Sequence, residues 1–296
     1  MIKILDFPDQ FMNTGLISNY PPHQKSENIE AQFYKYILKN KNLETNLTYI
    51  PIQWTNYLVK NSKYGTDELQ KIVDIKTNNK KDIFFTIVQY DGGPLIDITN
   101  CIVFTCGGMF NTSIFPNTSY IPLPLLSDSH KNKKKIKRKR KYIASFVGRS
   151  THPIRSEVEK QLSNKKGFLI ENSENMSITK KNERKFVKIM YESYFSLCPR
   201  GYGPNSFRLY ESFNINTVPV YISDQFHLPF QEIIDWNKLC VLVHPNEIYQ
   251  IPKKLDNILN TNKYAEMLNY GKFCYENYFN YDFTIKYISS FISRDG

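Results

Sequence analysis

Short runs of β-branched and aromatic residues recur along this chain. Each is closed by glycine, proline or aspartate, and several are followed by helical spacing. The clearest case lies between residues 194 and 230. Tyr194 to Leu197 is an apolar run suited to a buried strand, and Pro199, Gly201, Gly203 and Pro204 then break regular structure. Asn205 or Ser206 can cap the helix that follows. Phe207, Tyr210 and Phe213 fall on roughly one face of that helix, and Val218, Val220 and Ile222 then alternate as a strand closed by Asp224. Strand, tight loop, helix and strand make a βαβ unit of the kind found in parallel sheets.

The same grammar is repeated elsewhere. Ile2–Leu5 and Leu47–Ile52 are short strand candidates, while Gln32–Leu38 and Thr66–Ile75 have helical patterning. Ile83–Val88 reads as a buried parallel strand ending in Tyr90, Asp91, Gly92 and Gly93, and Asn100–Thr105 reads as another. The prolines of Ile121–Leu126 exclude a central strand there. Tyr142–Val147 is a strand, Gly148 and Arg149 open its loop, and Pro153–Leu162 is a helix with Ser150 or Thr151 near its cap. Val241–Val243 is a late strand, and 264–291 is a long aromatic helical region with breaks near Gly271 and Asp282.

The chemistry implied by these elements sits at strand ends. Gly201 and Gly203 let the backbone approach a ligand, and the free amides of the following helix start suit a phosphate. Arg200 and Arg208 flank that loop and can clamp a diphosphate. Glu211, one turn after Arg208, can accept from ribose hydroxyls. A bare G-x-G beside a surface Arg–Glu pair is also what an ordinary capped helix looks like. Arg149 and Arg155, in the loop and helix after residue 147, are further phosphate contacts, and Tyr202, Asn205 and His152 are secondary candidates. Asp91 ends a strand where ligands of parallel sheets bind, and two glycines follow it. It reads either as an Asp-Gly turn or as a base facing a ligand, with Tyr90 beside it. Asp97 and His130 are the rivals for the base, His130 being placed in a linker.

The stretch 197–236 resembles the signature of the exostosin-type glycosyltransferases. The matching elements are Cys198–Gly203 (C-P-R-G-x-G), Ser206 with Arg208 and Glu211, Pro219–Asp224, Leu228–Phe230, and Ile234 to Trp236. Weaker similarity reaches back to about Phe84, and Tyr142 to Arg155 fits the same family's pattern of strand, glycine loop and arginine. The resemblance implies an α/β fold of two Rossmann-like lobes facing a cleft, the GT-B architecture. It also implies inverting transfer of a sugar from a UDP-sugar to a glycan acceptor hydroxyl, with no metal required. On that reading Gly203, Ser206, Arg208 and Glu211 serve the donor, and Asp91 is the base.

Composition sets the remaining bounds. A chain of 296 residues, 41% of them hydrophobic, suffices for two ordinary domains. The expected division is 1–127 for the acceptor lobe, 128–141 for a basic linker, 142–270 for the donor lobe, and 271–296 for a helix returning to the first lobe. The five cysteines have no metal-ligand spacing and read as buried thiols of a reducing compartment. Lys131–Lys141 carries nine of the +11 net charges, so the basicity is local. The run reads as a solvated linker, or as a contact for an anionic surface or nucleic acid. No apolar run long enough for a signal or anchor opens the chain, so the expected location is cytoplasmic, and the sequons at Asn46, Asn111, Asn117 and Asn175 read as chance. A catalytically silent nucleotide-sugar binder is the alternative to an enzyme.

Overall fold

The computed structural model describes residues 2–15, 23–61, 65–79, 81–108, 118–130, 139–172 and 179–294. The chain forms two compact units: 1–20, 24–125 and 280–296 make the first, while 21–23 and 126–279 make the second. Each holds a five-stranded, wholly parallel sheet.

In the first unit the order is simply sequential: β1 (Lys3–Ile4), β2 (Thr48–Tyr49), β3 (Phe84–Val88), β4 (Cys101–Thr105) and β5 (Thr118–Pro122). Helices α1 (Ile29–Lys39), α2 (Trp54–Asn61) and α3 (Thr66–Lys76) occupy the connections. Buried parallel strands carry apolar residues on both faces, which is why β3 reads FFTIV without alternation. One face packs Phe84 and Val88 with Trp54, Leu69 and Val73. On the other, the Phe85 ring meets Tyr49 at 4.9 Å and Phe33 of α1 at 6.2 Å. The prolines of 121–126 fall at and beyond the edge strand β5, where a missing N–H costs no ladder bond.

The second unit runs β6 (Tyr142–Gly148), α4 (Pro153–Leu162), β7 (Phe168–Asn172), α5 (Lys180–Tyr191), β8 (Ser193–Pro199), α6 (Phe207–Asn214), β9 (Val218–Ile222), α7 (Trp236–Leu239), β10 (Val241–Val243), α8 (Ile251–Leu259) and α9 (Lys263–Asn277). The sheet order is β10-β9-β8-β6-β7. Its core joins Phe146, Phe195, Leu197, Val220 and Ile222 to Val158 and Leu162 of α4 and Leu255 of α8. The final helix, α10 (Tyr281–Arg294), belongs to the first unit, where the Phe291 ring lies 5.5 Å from that of Phe104. No described helix is long and apolar enough to cross a membrane.

Three local expectations need correction. α9 passes through Gly271 unbroken, because the missing side chain admits the Phe213 ring; a Cβ there would stand 3.1 Å from it. The other expected break, near Asp282, is present just before α10, where Asn280 Oδ1 accepts from the Phe283 amide. The cap of α4 is His152, whose Nδ1 accepts from the Ile154 amide at 3.3 Å, and not Ser150 or Thr151. Finally, α2, β7 and α5 have no counterpart in the expectations. α2 is short, β7 is a half-buried edge strand, and α5 (KKNERKFVKIMY) keeps its apolar residues in its second half.

One buried carboxylate links three elements of the first unit. Glu30, on α1 and fully buried, accepts from the Thr55 amide and hydroxyl at the start of α2 and from the Gln89 amide beyond β3. Burial pushes its pKa up to about 7, against the pull of these donors. A pKa raised in the fold means that the protonated form favours folding. The contribution is therefore fully present below the ordinary value of 4.5 and is lost as pH rises through 7. The first unit is expected to melt at progressively lower temperature between those pH values. Glu30→Gln, which cannot ionise, should flatten that slope in thermal unfolding monitored against pH; an unchanged slope refutes the assignment.

Candidate functional site

The second sheet reverses direction at one place. From β6 the chain steps to β7 on one side, then crosses to β8 on the other and continues outward to β9 and β10. The crevice at such a reversal, beyond the carboxyl ends of the two strands, is where open parallel sheets bind ligands. Here the strands are β6 and β8, paired through Ala144 with Phe195 and Ser145 with Ser196. The loops that leave them carry Gly148 with Arg149, and Arg200 with Gly201 and Gly203.

Arg155, in the first turn of α4, ties the two loops together. Its Nε donates to the Arg200 carbonyl at 2.8 Å, its Nη1 to that of Arg149 at 3.0 Å, and its Nη2 to that of Pro199 at 3.4 Å. Gly201 is small for this reason, since a Cβ there would lie 3.1 Å from Arg155 Nη2. Arg200 is buried and donates to the Asp224 carboxylate and the Tyr202 carbonyl. Burial opposes the Asp224 charge, but the Arg200 bond outweighs it and lowers the pKa. Arg208 is buried too. Its guanidinium donates to the Val147 carbonyl and lies over the Phe146 ring at 4.5 Å and the Phe186 ring at 5.3 Å. A Cβ on Gly148 would come within 3.0 Å of it. Arg149 and Tyr202 are exposed. Ser206 occupies the cap position of α6 without a side-chain capping bond; Asn205 Oδ1 accepts from the Ser206 amide instead. Gly203 is buried beside them.

Glu211, one turn into α6, is covered by two histidines. His130 Nε2 lies 3.4 Å and His23 Nε2 3.7 Å from its Oε1. His130 was expected in an exposed linker. Its ring is instead 3% accessible, its Nδ1 lies 3.1 Å from Glu183 Oε1 on α5, and it packs on Phe186. Burial disfavours the imidazolium, but Glu211 and Glu183 together prevail and raise its pKa. Burial likewise opposes the Glu211 charge, and His130, His23 and Arg208 hold its pKa down regardless. His23 was not anticipated; nothing in P-P-H-Q marks it.

The basic run also changes character. Residues 131–138 lie outside the described residues. At its end, however, Arg140 is half buried and donates to the carbonyls of Ser193 and Asn216 and the Tyr264 hydroxyl, while Lys141 pairs with Glu192 at 2.7 Å. These two cations serve the second unit rather than a solvated linker.

In the first unit, Tyr90 and Asp91 form the turn that leaves β3, closed by the Gly93 amide on the Tyr90 carbonyl at 3.0 Å. Gly107, after β4, packs so closely that a Cβ would stand 2.5 Å from Asp91 Cα. Asp91 is half buried. Asp97 faces α3, its backbone bonded both ways to the Gln70 amide.

A family model described as the Exostosin GT47 domain matches residues 84–261. The chain belongs to the exostosin GT47 family. Among curated relatives, Exostosin-1b of Danio rerio is 34% identical over 94 residues, which is 32% of this chain and 13% of that protein. The Caenorhabditis elegans Exostosin-1 homolog is 40% identical over 70 residues, 24% of this chain and 18% of that one. The Arabidopsis thaliana protein named "Probable arabinosyltransferase ARAD1" is 34% identical over 106 residues, 35% and 24% respectively. The matched stretch thus spans under a quarter of each relative. Among solved structures, TarM aligns with 91% of this chain and 59% of its own, with 12% identity and a TM-score of 0.42.

The bracing role of Arg155 in this exostosin domain is testable. Arg155→Ala leaves several loop carbonyls without a donor and is expected to cost about 1–3 kcal/mol. Urea unfolding showing no loss would remove Arg155 from that role.

Proposed function

We propose that this exostosin domain is an inverting glycosyltransferase that moves a sugar from a UDP-sugar to a glycan hydroxyl. The observation that carries the reading is the arginine-rich pair of loops at the reversal point of the second sheet, on a chain of this family. Arg149, Arg200 and Arg208 with the loop of Gly201 and Gly203 receive the diphosphate, and the second carboxylate oxygen of Glu211 receives the ribose. Uridine is the base implied by the resemblance. Guanidinium groups compensate the diphosphate charge as the bond to the anomeric carbon breaks, so no added divalent metal is required for the leaving group. Asp91, with Tyr90 beside it, is the base: it takes the proton of the acceptor hydroxyl as that oxygen attacks the anomeric carbon, and the UDP departs with the bonding pair. Tyr202, Asn205, Ser206 and His152 hold or line the donor loops.

Three variants separate binding from chemistry. Arg208→Ala, and the exposed Arg149→Ala as a variant safe for folding, should each raise the Kd for UDP at least about tenfold, or about 1.4 kcal/mol. Unchanged binding in both folded proteins rejects the donor site. In an assay without added divalent metal, Asp91→Asn should keep UDP affinity and lower transfer about 10²-fold or more. Retained transfer, or its loss on Asp97→Asn instead, moves the base elsewhere.

A further inference from the structure

The histidine-covered carboxylate of the second unit, whose other oxygen the proposed function gives to the ribose, poses a proton problem of its own. Glu183 as a carboxylate cannot donate, so His130 Nδ1 carries the proton of their 3.1 Å contact. In a neutral ring, Nε2 then presents a lone pair. That atom is buried, makes no hydrogen bond among the described residues, and faces Glu211 Oε1 at 3.4 Å. Two acceptors facing each other in a dry interior require a cation between them, either a second proton on His130 or a metal ion.

The geometry points to a metal ion: we propose that His23 Nε2, His130 Nε2 and Glu211 Oε1 bind one divalent ion of the zinc class. The three atoms lie within 4.8 Å of one another, with edges to Glu211 of 3.4 and 3.7 Å. In a tetrahedral shell with bonds of about 2.0–2.1 Å, ligand atoms stand about 3.3–3.5 Å apart, so the two edges to Glu211 already match to within about 0.4 Å and the edge between the histidines needs to contract by about 1.5 Å at most. Two imidazoles and one carboxylate form a recurrent zinc ligand set. The Glu183 carboxylate behind His130 Nδ1 is the outer partner that fixes a ligating ring with its other nitrogen toward the metal. The rings of His23 and His130 lie 4.0 Å apart between centroids, tilted by 31°, and each has its Nε2 within 3.7 Å of the same carboxylate oxygen. Without the ion, His23 Nε2 donates to the Asp128 carbonyl at 2.8 Å; ligation through that nitrogen would move the ring proton to Nδ1, the other tautomer of the neutral imidazole. The free thiols are no competitors, because every cysteine is buried and its thiol pKa is raised. The ion would sit on the α6 carboxylate and anchor the start of that helix to α5 and to the segment before the basic run.

Zinc and cobalt(II) ions alone, added to the full chain stripped of metal, test this. The expected result is one ion per chain by metal analysis, four-coordinate cobalt bands in the visible, and a higher melting temperature. Affinity should increase with pH, because the ion competes with protonation of the His130 ring. His23→Ala and Glu211→Gln should abolish the cobalt bands, and Glu183→Gln, on a partly exposed residue that is no ligand, should weaken zinc about 10–100-fold. His244→Ala, far along the chain, should change nothing. Should His130→Ala fail to fold, the His23 and Glu183 variants still decide the matter. Absence of stoichiometric zinc in the parent chain, equal binding by His23→Ala, or an NMR titration of His130 unaffected by zinc would overturn the site and leave an imidazolium between two carboxylates.

Discussion

Arg155 donates to the carbonyls of Arg149, Pro199 and Arg200, and the candidate donor site depends on that three-way bond. Two strands of a parallel sheet end side by side where the sheet reverses, and their loops would otherwise separate with nothing between them. A planar guanidinium with five donors can bridge both loops at once, which a lysine cannot do. The bridge also explains the small residues around it. Gly201 clears space for Arg155, and Gly148 does the same for Arg208. These glycines are required by close approach, not by a left-handed backbone.

The arginines of this site therefore do different work. Arg155 and Arg208 donate to backbone carbonyls at the carboxyl ends of β8 and β6, and Arg140, outside the site, does the same at the amino ends of β8 and β9. Arg149 stays exposed, and Arg200 is buried against Asp224. Positive charge is held at the strand ends by the fold before any ligand arrives; on the proposed function, electrostatic stabilisation of a leaving diphosphate there would need little rearrangement.

Buried carboxylates play matching roles in the two units. Glu30 is satisfied by backbone and hydroxyl donors and keeps the end of β3, hence Asp91 two residues on, in place. Glu211 is faced by two imidazoles, which titrate and ligate metals, and so its surroundings can respond to solution conditions in a way that the amide and hydroxyl donors around Glu30 cannot.

Much of the α/β architecture was legible in the chain itself. Doubly buried strands such as Phe84–Val88 and Val218–Ile222 must be continuously apolar, and Pro153 at the start of a helical pattern marks α4 to the residue. The loop at Gly201 and Gly203 and its flanking arginines were visible for the same local reasons. Elements stabilised by their neighbours were not: α5 opens on six polar residues (KKNERK) and confines its apolar ones to its second half, and Gly271 reads as a breaker until Phe213 is packed against it. Which arginine faces carbonyls and which faces solvent is a matter of long-range hydrogen bonding, with no trace in spacing. The same holds for His23, His130 and Glu211. They are more than a hundred residues apart at the extremes, and only tertiary packing brings two imidazoles and one carboxylate to a single buried point.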